Sequence, residues 1–149
     1  MQENETILTV RYSTALGDVD LDVRPITRKA FEALGRKHRK VVWNKDHQKE
    51  TEINPKTYYP ELYSRIVKTW RGLTEEIKAL ICLQRLNNGT DPKQEVPFNA
   101  ADLVKMARTN QKFAEYIEAT ALNFEALLGQ QILSEREEQT LLEEETKNS

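Results

Sequence analysis

Apolar and polar positions alternate in two short runs near the start of the chain and then switch to spacings of three and four over most of the remaining length. Thr6 to Tyr12 sets Leu8, Val10 and Tyr12 on one side, and Asp18 to Val23 sets Val19, Leu21 and Val23 opposite Asp18, Asp20 and Asp22. Both segments are therefore expected to be strands. Gly17, at the end of the turn-prone segment from Ser13, can take the positive φ of a tight reversal, so the two runs are expected to close as an antiparallel hairpin. Pro25 ends the second strand, and Thr27 is placed to cap a helix from Arg28, with Ile26 and Phe31 as a hydrophobic staple and Ala30, Phe31 and Leu34 on its apolar side. This helix should cover the hairpin, because two strands alone are only marginally stable in water. Gly35 weakens its continuation. Val41, Val42 and Trp43 make an apolar patch compatible with a third strand or a helix end, and Asn44 to Thr57 has the composition of an exposed loop.

The helical period returns near Tyr58 or Pro60. Tyr59, Leu62, Tyr63, Ile66, Trp70 and Leu73 recur at three and four, so one amphipathic helix is expected to run to about Gly72. Thr74 then caps a helix from Glu75 to Leu86 whose Ile77, Leu80, Ile81, Leu83 and Leu86 are apolar on more than one side; central burial is expected, with Cys82 a small core residue. After the loop from Asn87 to Pro97, Asn99 is an N-cap, Asp102 stands at N3, and Phe98 and Leu103 form a staple ahead of inward-facing Leu103, Met106 and Ala107. Thr109 and Asn110 permit a break. From Phe113 through Tyr116, Ile117, Thr120, Ala121, Phe124, Leu127 and Leu128 the spacing holds for over four turns, and Gly129 is placed to end that helix. Ser134 and Glu137 form a capping box for a last, glutamate-rich segment with only Leu133, Leu141 and Leu142 to bury, expected to be marginally helical or disordered. The expected fold is α+β and predominantly α: a short N-terminal β-hairpin (6–24) followed by a bundle of about four to five helices (28–129), one domain over 1–130, and an acidic tail over 131–149.

Composition changes this picture little and charge changes it more. With 149 residues, 38% of them hydrophobic and 31% charged, the chain suits one domain plus solvated segments. The net charge of -2 hides two poles. Positive side chains crowd the stretch from Arg24 to Lys49, and glutamates crowd the stretch from Glu115 to Glu145. Such poles favour head-to-tail self-association or an internal contact, against the plainer role of two solvated faces. The hexamer Gly35 to Lys40 could contact phosphates, but it lacks interleaved aromatics and belongs to a slightly acidic chain, so nucleic acid is not the expected partner.

Candidate chemistry is sparse. Cys82 is the single cysteine, which rules out an intrachain disulfide and a cysteine-based zinc site and fits a reducing compartment. Alternate aspartates of one strand lie about 6.6 to 6.8 Å apart, too far for Asp18, Asp20 and Asp22 to chelate one ion unaided, so a solvated acidic face is expected. His38 and His47 have no third ligand nearby in sequence and are read as surface histidines. No P-loop, dinucleotide fingerprint, HExxH, CxxC or GxSxG occurs. The expectation is a protein without catalytic residues, cofactor or metal. No apolar run reaches the roughly 18 residues of a membrane span, and the first residues lack a secretion signal, so a cytoplasmic, membrane-free protein is expected. Apolar surface on several helices leaves room for a groove that takes an apolar helix of a partner. Trp43, Tyr59, Tyr63, Trp70, Leu73, Phe98, Phe113 and Tyr116 are the candidate contact residues, with core packing the competing role and the favoured one for Trp70.

The order of parts resembles that of the tail assembly chaperones of long-tailed bacteriophages and prophages. The hairpin leads into VRPIT and a helix (Val23 to Leu34); IVKTWRGL (Ile66 to Leu73) carries a W-x-G-L ending; and VPFNAADL (Val96 to Leu103) carries a PF-(S/T/N)-x-x-x-L helix start. The likeness covers residues 6 to 128. It departs from the commonest arrangement in placing the whole apolar segment Glu75 to Leu86 between the two motifs, where many relatives have a brief loop. The resemblance implies a non-enzymatic chaperone in the cytoplasm of a bacterial host, absent from the finished virion. It would keep the long apolar helical tape-measure protein soluble and help bring tail-tube protein onto it, acting as a homo-oligomer. The competing functions are a nucleic-acid-binding regulator working through Arg36 to Lys40 and a structural component such as a head-tail connector.

Overall fold

The structure, a computed structural model, describes residues 6–147. Residues 1–5 of the expected domain and 148–149 of the expected tail lie outside the described residues. The fold is α+β, with the hairpin at its N-terminal side as expected and six helices among the described residues, rather than four to five.

Strands β1 (Leu8–Thr14) and β2 (Gly17–Val23) pair antiparallel from Leu8↔Val23 to Thr14↔Gly17. The reversal is closed by Gly17 at φ +142° and by the Thr14 hydroxyl, which donates to the Gly17 carbonyl at 2.7 Å. Alternation then does what the sequence implies: Val19, Leu21 and Val23 are completely buried, while the three aspartates face outward. They are taken by cross-strand partners. Arg11 holds Asp20 at 3.0 Å, the Thr9 hydroxyl donates to Asp22 at 2.7 Å, and Arg71 clamps both Asp22 oxygens at 2.9 Å. The Arg71 hydrogen bonds hold the Asp22 carboxyl below its ordinary range.

Helix α1 (Arg28–Lys37) starts where Thr27 accepts from the Ala30 N–H at 3.0 Å. It is followed by a two-stranded ribbon, β3 (Arg39–Trp43) and β4 (Lys49–Ile53), paired from Arg39↔Ile53 to Trp43↔Lys49. The expected exposed loop thus contains a strand, and Val41 to Trp43 is a strand rather than a helix end. Periodicity could not reveal β4, KETEI, because it has no buried face: all five residues are exposed.

Helix α2 (Pro55–Ile66) begins three residues earlier than Tyr58, with Asn54 as its cap and Pro55 in the first turn. It also ends sooner. The expected continuation to Gly72 is instead strand β5 (Val67–Arg71), which adds to β2 and makes a three-stranded sheet in the order β1-β2-β5. The register shifts between Asp22 and Val23, where Thr69 pairs with Asp22 and Val67 with Val23, leaving Lys68 as the extra residue of a bulge. That extra residue puts Val67 and Trp70 on the same inward face at a spacing of three. The expected period joined Ile66 at the end of α2 to Trp70 in β5 and Leu73 after it, three buried residues at spacings of four and three, so a helix end followed by a strand imitated one helical face.

Helix α3 (Glu75–Ile81) is shorter than expected, stopping before Leu83. Helix α4 (Ala100–Thr109) starts on Asn99, whose side chain accepts from the N–H groups of Ala101 and Asp102 at 2.8 and 3.3 Å. Asn110 then ends α4 and caps α5 (Gln111–Leu122), accepting from the Phe113 N–H at 3.1 Å while its amide donates to the Ile81 carbonyl at 3.1 Å. Helix α6 (Phe124–Lys147) is one piece. The chain breaks at Asn123 instead of at Gly129, and Ser134 lies inside the helix rather than capping a new one. A break at Asn123 turns α6 away from the body, so that the residues from Gln130 to Thr146 are all exposed. The core lies between the inward face of the sheet and α2, α4 and α5, with Leu62, Ile66, Leu73, Leu103, Met106, Phe113 and Ile117 fully buried.

Candidate functional site

The two motifs that carry the family resemblance meet in space. The Trp70 indole N–H donates to the Val96 carbonyl at 2.9 Å, and the ring meets Phe98 edge-on with centroids 4.7 Å apart. The Val96 N–H donates to the Leu73 carbonyl at 2.7 Å, the Glu75 N–H to the Gln94 carbonyl at 2.9 Å, and Thr74 bridges to Glu95. Gly72 sits between them at φ +81°, where a Cβ would come within 3.1 Å of the Asp18 carbonyl oxygen. Segment Thr74–Glu95, including α3, is therefore an excursion whose two ends are stitched together. It leaves and rejoins the framework at one point, so its length does not disturb the junction of the motifs.

This junction decides where several candidate contact residues go. Trp70 and Leu73 are 5% and 0% exposed, and Tyr63 and Phe113 are equally buried, so these four side chains offer no surface to a partner in this structure. Phe98 is half-buried against Trp70. Tyr116 is half-buried too: its ring packs on Tyr12 at 5.4 Å and its hydroxyl donates to the Arg11 carbonyl at 2.8 Å, which ties α5 to the sheet. Tyr59 lines a groove between α2, α4 and α5, stacked on Tyr63 at 5.9 Å with the Arg108 guanidinium 5.2 Å above its ring. On the other wall is Glu118, whose carboxyl is pushed above the ordinary glutamate value first by burial and then by Glu115. Burial also raises the Tyr63 hydroxyl. Trp43 alone of the eight is open, at 66% exposure on the ribbon, with the Lys49 ammonium 5.5 Å from its ring.

His38 is not a surface histidine. Its ring closes the end of α1 against α2: Nδ1 lies 2.9 Å from the Thr57 hydroxyl, and Nε2 bonds the Glu61 carboxylate, which Lys37 also holds at 2.7 Å. These bonds, from Lys37 first, keep the Glu61 carboxyl below its ordinary range. Thr57 and Glu61 stand one turn apart on α2, so the trio is a clamp at the foot of the ribbon, where the Asn54 N–H also donates to the His38 carbonyl at 2.8 Å. The clamp also divides the basic hexamer. Arg36 and Lys37 end α1, His38 turns inward, and Arg39 and Lys40 begin β3, which leaves no continuous basic stripe.

Large exposed apolar side chains gather at three places. On the ribbon these are Val41, Trp43 and Ile53; on α6 they are Ile132, Leu133, Leu141 and Leu142. The third place is a rim where the β1–β2 turn meets the end of α3. Leu80, Leu83 and Ala15 line an open groove there together with the polar Ser13, Thr14, Asn110 and Lys112, over the buried Tyr12 and Ile81, and Leu16 follows next along the turn. The apolar pattern of the sequence assigns Leu80 and Leu83 to the core, but they are 37% and 70% exposed. Leu83 holds φ +57° as the left-handed residue that ends α3: its N–H donates to the Leu80 carbonyl at 3.0 Å and the Gln84 N–H to the Ala79 carbonyl at 2.9 Å, a common helix-terminating pair of bonds at a position that glycine fills more often. Only the early stop of α3 reveals this, and no residue type in the segment announces it.

Compared with known proteins, the chain matches no family model, no curated protein and no solved structure.

Proposed function

We propose that this chain is a non-enzymatic assembly chaperone of the phage tail type, which holds an apolar helical client in solution. The observation that carries the reading is Leu83. A leucine kept 70% exposed at the left-handed turn that ends α3, where glycine or asparagine is the usual residue, with exposed Leu80 on the same groove, suits a surface that receives apolar side chains. The groove at this rim accommodates one face of an amphipathic or apolar helix, read at every third or fourth residue. The joined W-x-G-L and PF motifs support the tail-chaperone assignment, and the stitched excursion Thr74–Glu95 accounts for the one departure from that family's usual spacing. On this reading the client is the tape-measure protein, tail-tube protein is the second partner, and the chain works in the bacterial cytoplasm. Among the described residues no helix is long and apolar enough to cross a membrane.

Co-expression with a phage tape-measure protein from the same genome tests the proposal. The expected result is a higher soluble yield of the tape measure and its co-purification with this chain; an unchanged yield with no co-purification overturns it. Mass spectrometry of purified particles separates the chaperone from a head-tail connector, since a connector stays in the particle and the chaperone does not.

A further inference from the structure

We infer that copies of this chain associate head to tail, the outer face of the β3–β4 ribbon on one copy receiving the distal half of α6 from the next. The surfaces involved are separate from the rim, and no client is needed for them to meet.

The ribbon is asymmetric in charge. Its pairing sets Arg39, Val41 and Trp43 beside Ile53, Thr51 and Lys49 on one face, and Lys40 and Val42 beside Glu52 and Glu50 on the other. Both acidic residues of the paired strands thus lie on one side, and the Trp43 face is apolar with cations only. Val41, Trp43 and Ile53 on that face are 64%, 66% and 41% exposed.

The distal part of α6 has the complementary pattern. Leu133, Glu137, Thr140, Leu141 and Glu144 share one face of the helix and line a shallow groove along it with Arg136. Leu133 and Leu141 are 58% and 61% exposed. They stand about 12 Å apart along the axis, from a rise of about 1.5 Å per residue, and β3 spans about 13 Å at about 3.3 Å per residue. The two leucines therefore reach the apolar positions of the ribbon while Glu137 and Glu144 meet Lys49 and Arg39.

Charge chooses between this arrangement and the symmetric ones. Pairing α6 with α6 would bring Glu137 and Glu144, with Arg136 the single cation of that groove, together with their copies, and pairing two Trp43 faces would bring Arg39 and Lys49 together with theirs. Ribbon against helix is the combination that buries apolar surface on both sides and pairs opposite charges. Because donor and acceptor surfaces differ, the contact is heterologous and propagates into rings or open chains.

Sedimentation velocity of the full chain tests this. The wild type is expected to form species larger than the monomer as concentration rises, less so at high salt. Trp43→Asp and Leu141→Asp, both at exposed positions, are each expected to weaken self-association at least about tenfold. Mixed together, they should form a heterodimer that grows no further, because one intact ribbon and one intact helix remain. Lys49→Glu and Glu137→Lys should each weaken association, and the two combined in one chain should restore it. A wild type that stays monomeric throughout, a single variant that associates like the wild type, or a mixture that stays monomeric overturns the inference.

Discussion

At the scale of single residues, two side chains sit at odds with their surroundings. Leu83 has φ +57° and 70% exposure. Asparagine tolerates that backbone state better than leucine, so Leu83→Asn is expected to keep or raise the unfolding midpoint while lowering client capture in co-purification. A purely structural Leu83 would show the stability change without the loss of capture. Glu118 has its carboxyl raised by burial and by Glu115, so the folded state binds its proton more tightly than the unfolded chain does. Stability contributed by this group is present below its ordinary value of 4.5 and is lost as pH rises through the higher folded value. Glu118→Gln should therefore be more stable than wild type at neutral pH, with the gap closing below about pH 4.5 in urea denaturation. Asp22 has the opposite sign. Held low chiefly by Arg71, it contributes stability above its ordinary value of 3.8 that is lost as pH falls through its lower folded value.

At the scale of elements, the sheet and the ribbon differ in what lies behind them. Strand β2 is paired on both edges and its apolar face is completely buried under helices, whereas β3 and β4 have only one another and a clamp at their foot. Isolated two-stranded ribbons are marginal in water. Hydrogen exchange of the monomer should accordingly show the amides of β3 and β4 exchanging orders of magnitude faster than those of Val19, Leu21 and Val23. Equal protection would mean that the ribbon is held by something besides its own ladder. In sequence, the helix starts at Thr27, Thr74 and Asn99 were legible because each is a local event, one side chain accepting from one or two N–H groups. The end of α2 was not. Val67 to Arg71 has no turn signal before it, and Ile66, Trp70 and Leu73 are all buried at spacings of four and three across the helix end, the strand and the residues after it, while the pairing that makes the strand exists only against β2.

At the scale of the whole molecule, the chain is a packed body from which α6 projects. Everything from Gln130 to Thr146 is exposed, so this larger part of the helix adds almost nothing to the core. A chain truncated after Gly129 is expected to unfold within a few degrees of the full chain by calorimetry, yet to lose its self-association. A large drop in midpoint would show that α6 supports the body directly. The separation is spatial: Trp70, Phe98 and Phe113 pack within the body, while the large exposed apolar side chains stand on the rim at Leu83, on the ribbon and on α6.

What the sequence determined by itself was the hairpin with its buried valines and leucine, the helix starts at Thr27, Thr74 and Asn99, the core role of Trp70 and the two poles of charge. Each depends on residues close in the chain or on simple alternation against one face. Only the tertiary structure decided that WRGL is a strand end, that His38 is a clamp and that four of the eight candidate contact residues are buried. It also decided that Leu80 and Leu83 are open. The physical reason is the same in each case. Whether an apolar side chain is core or surface depends on what the rest of the chain brings to it. At the β5 junction and the end of α3, those partners come from distant segments: β2 and Val96 for Trp70, and Asn110 for the last turn of α3.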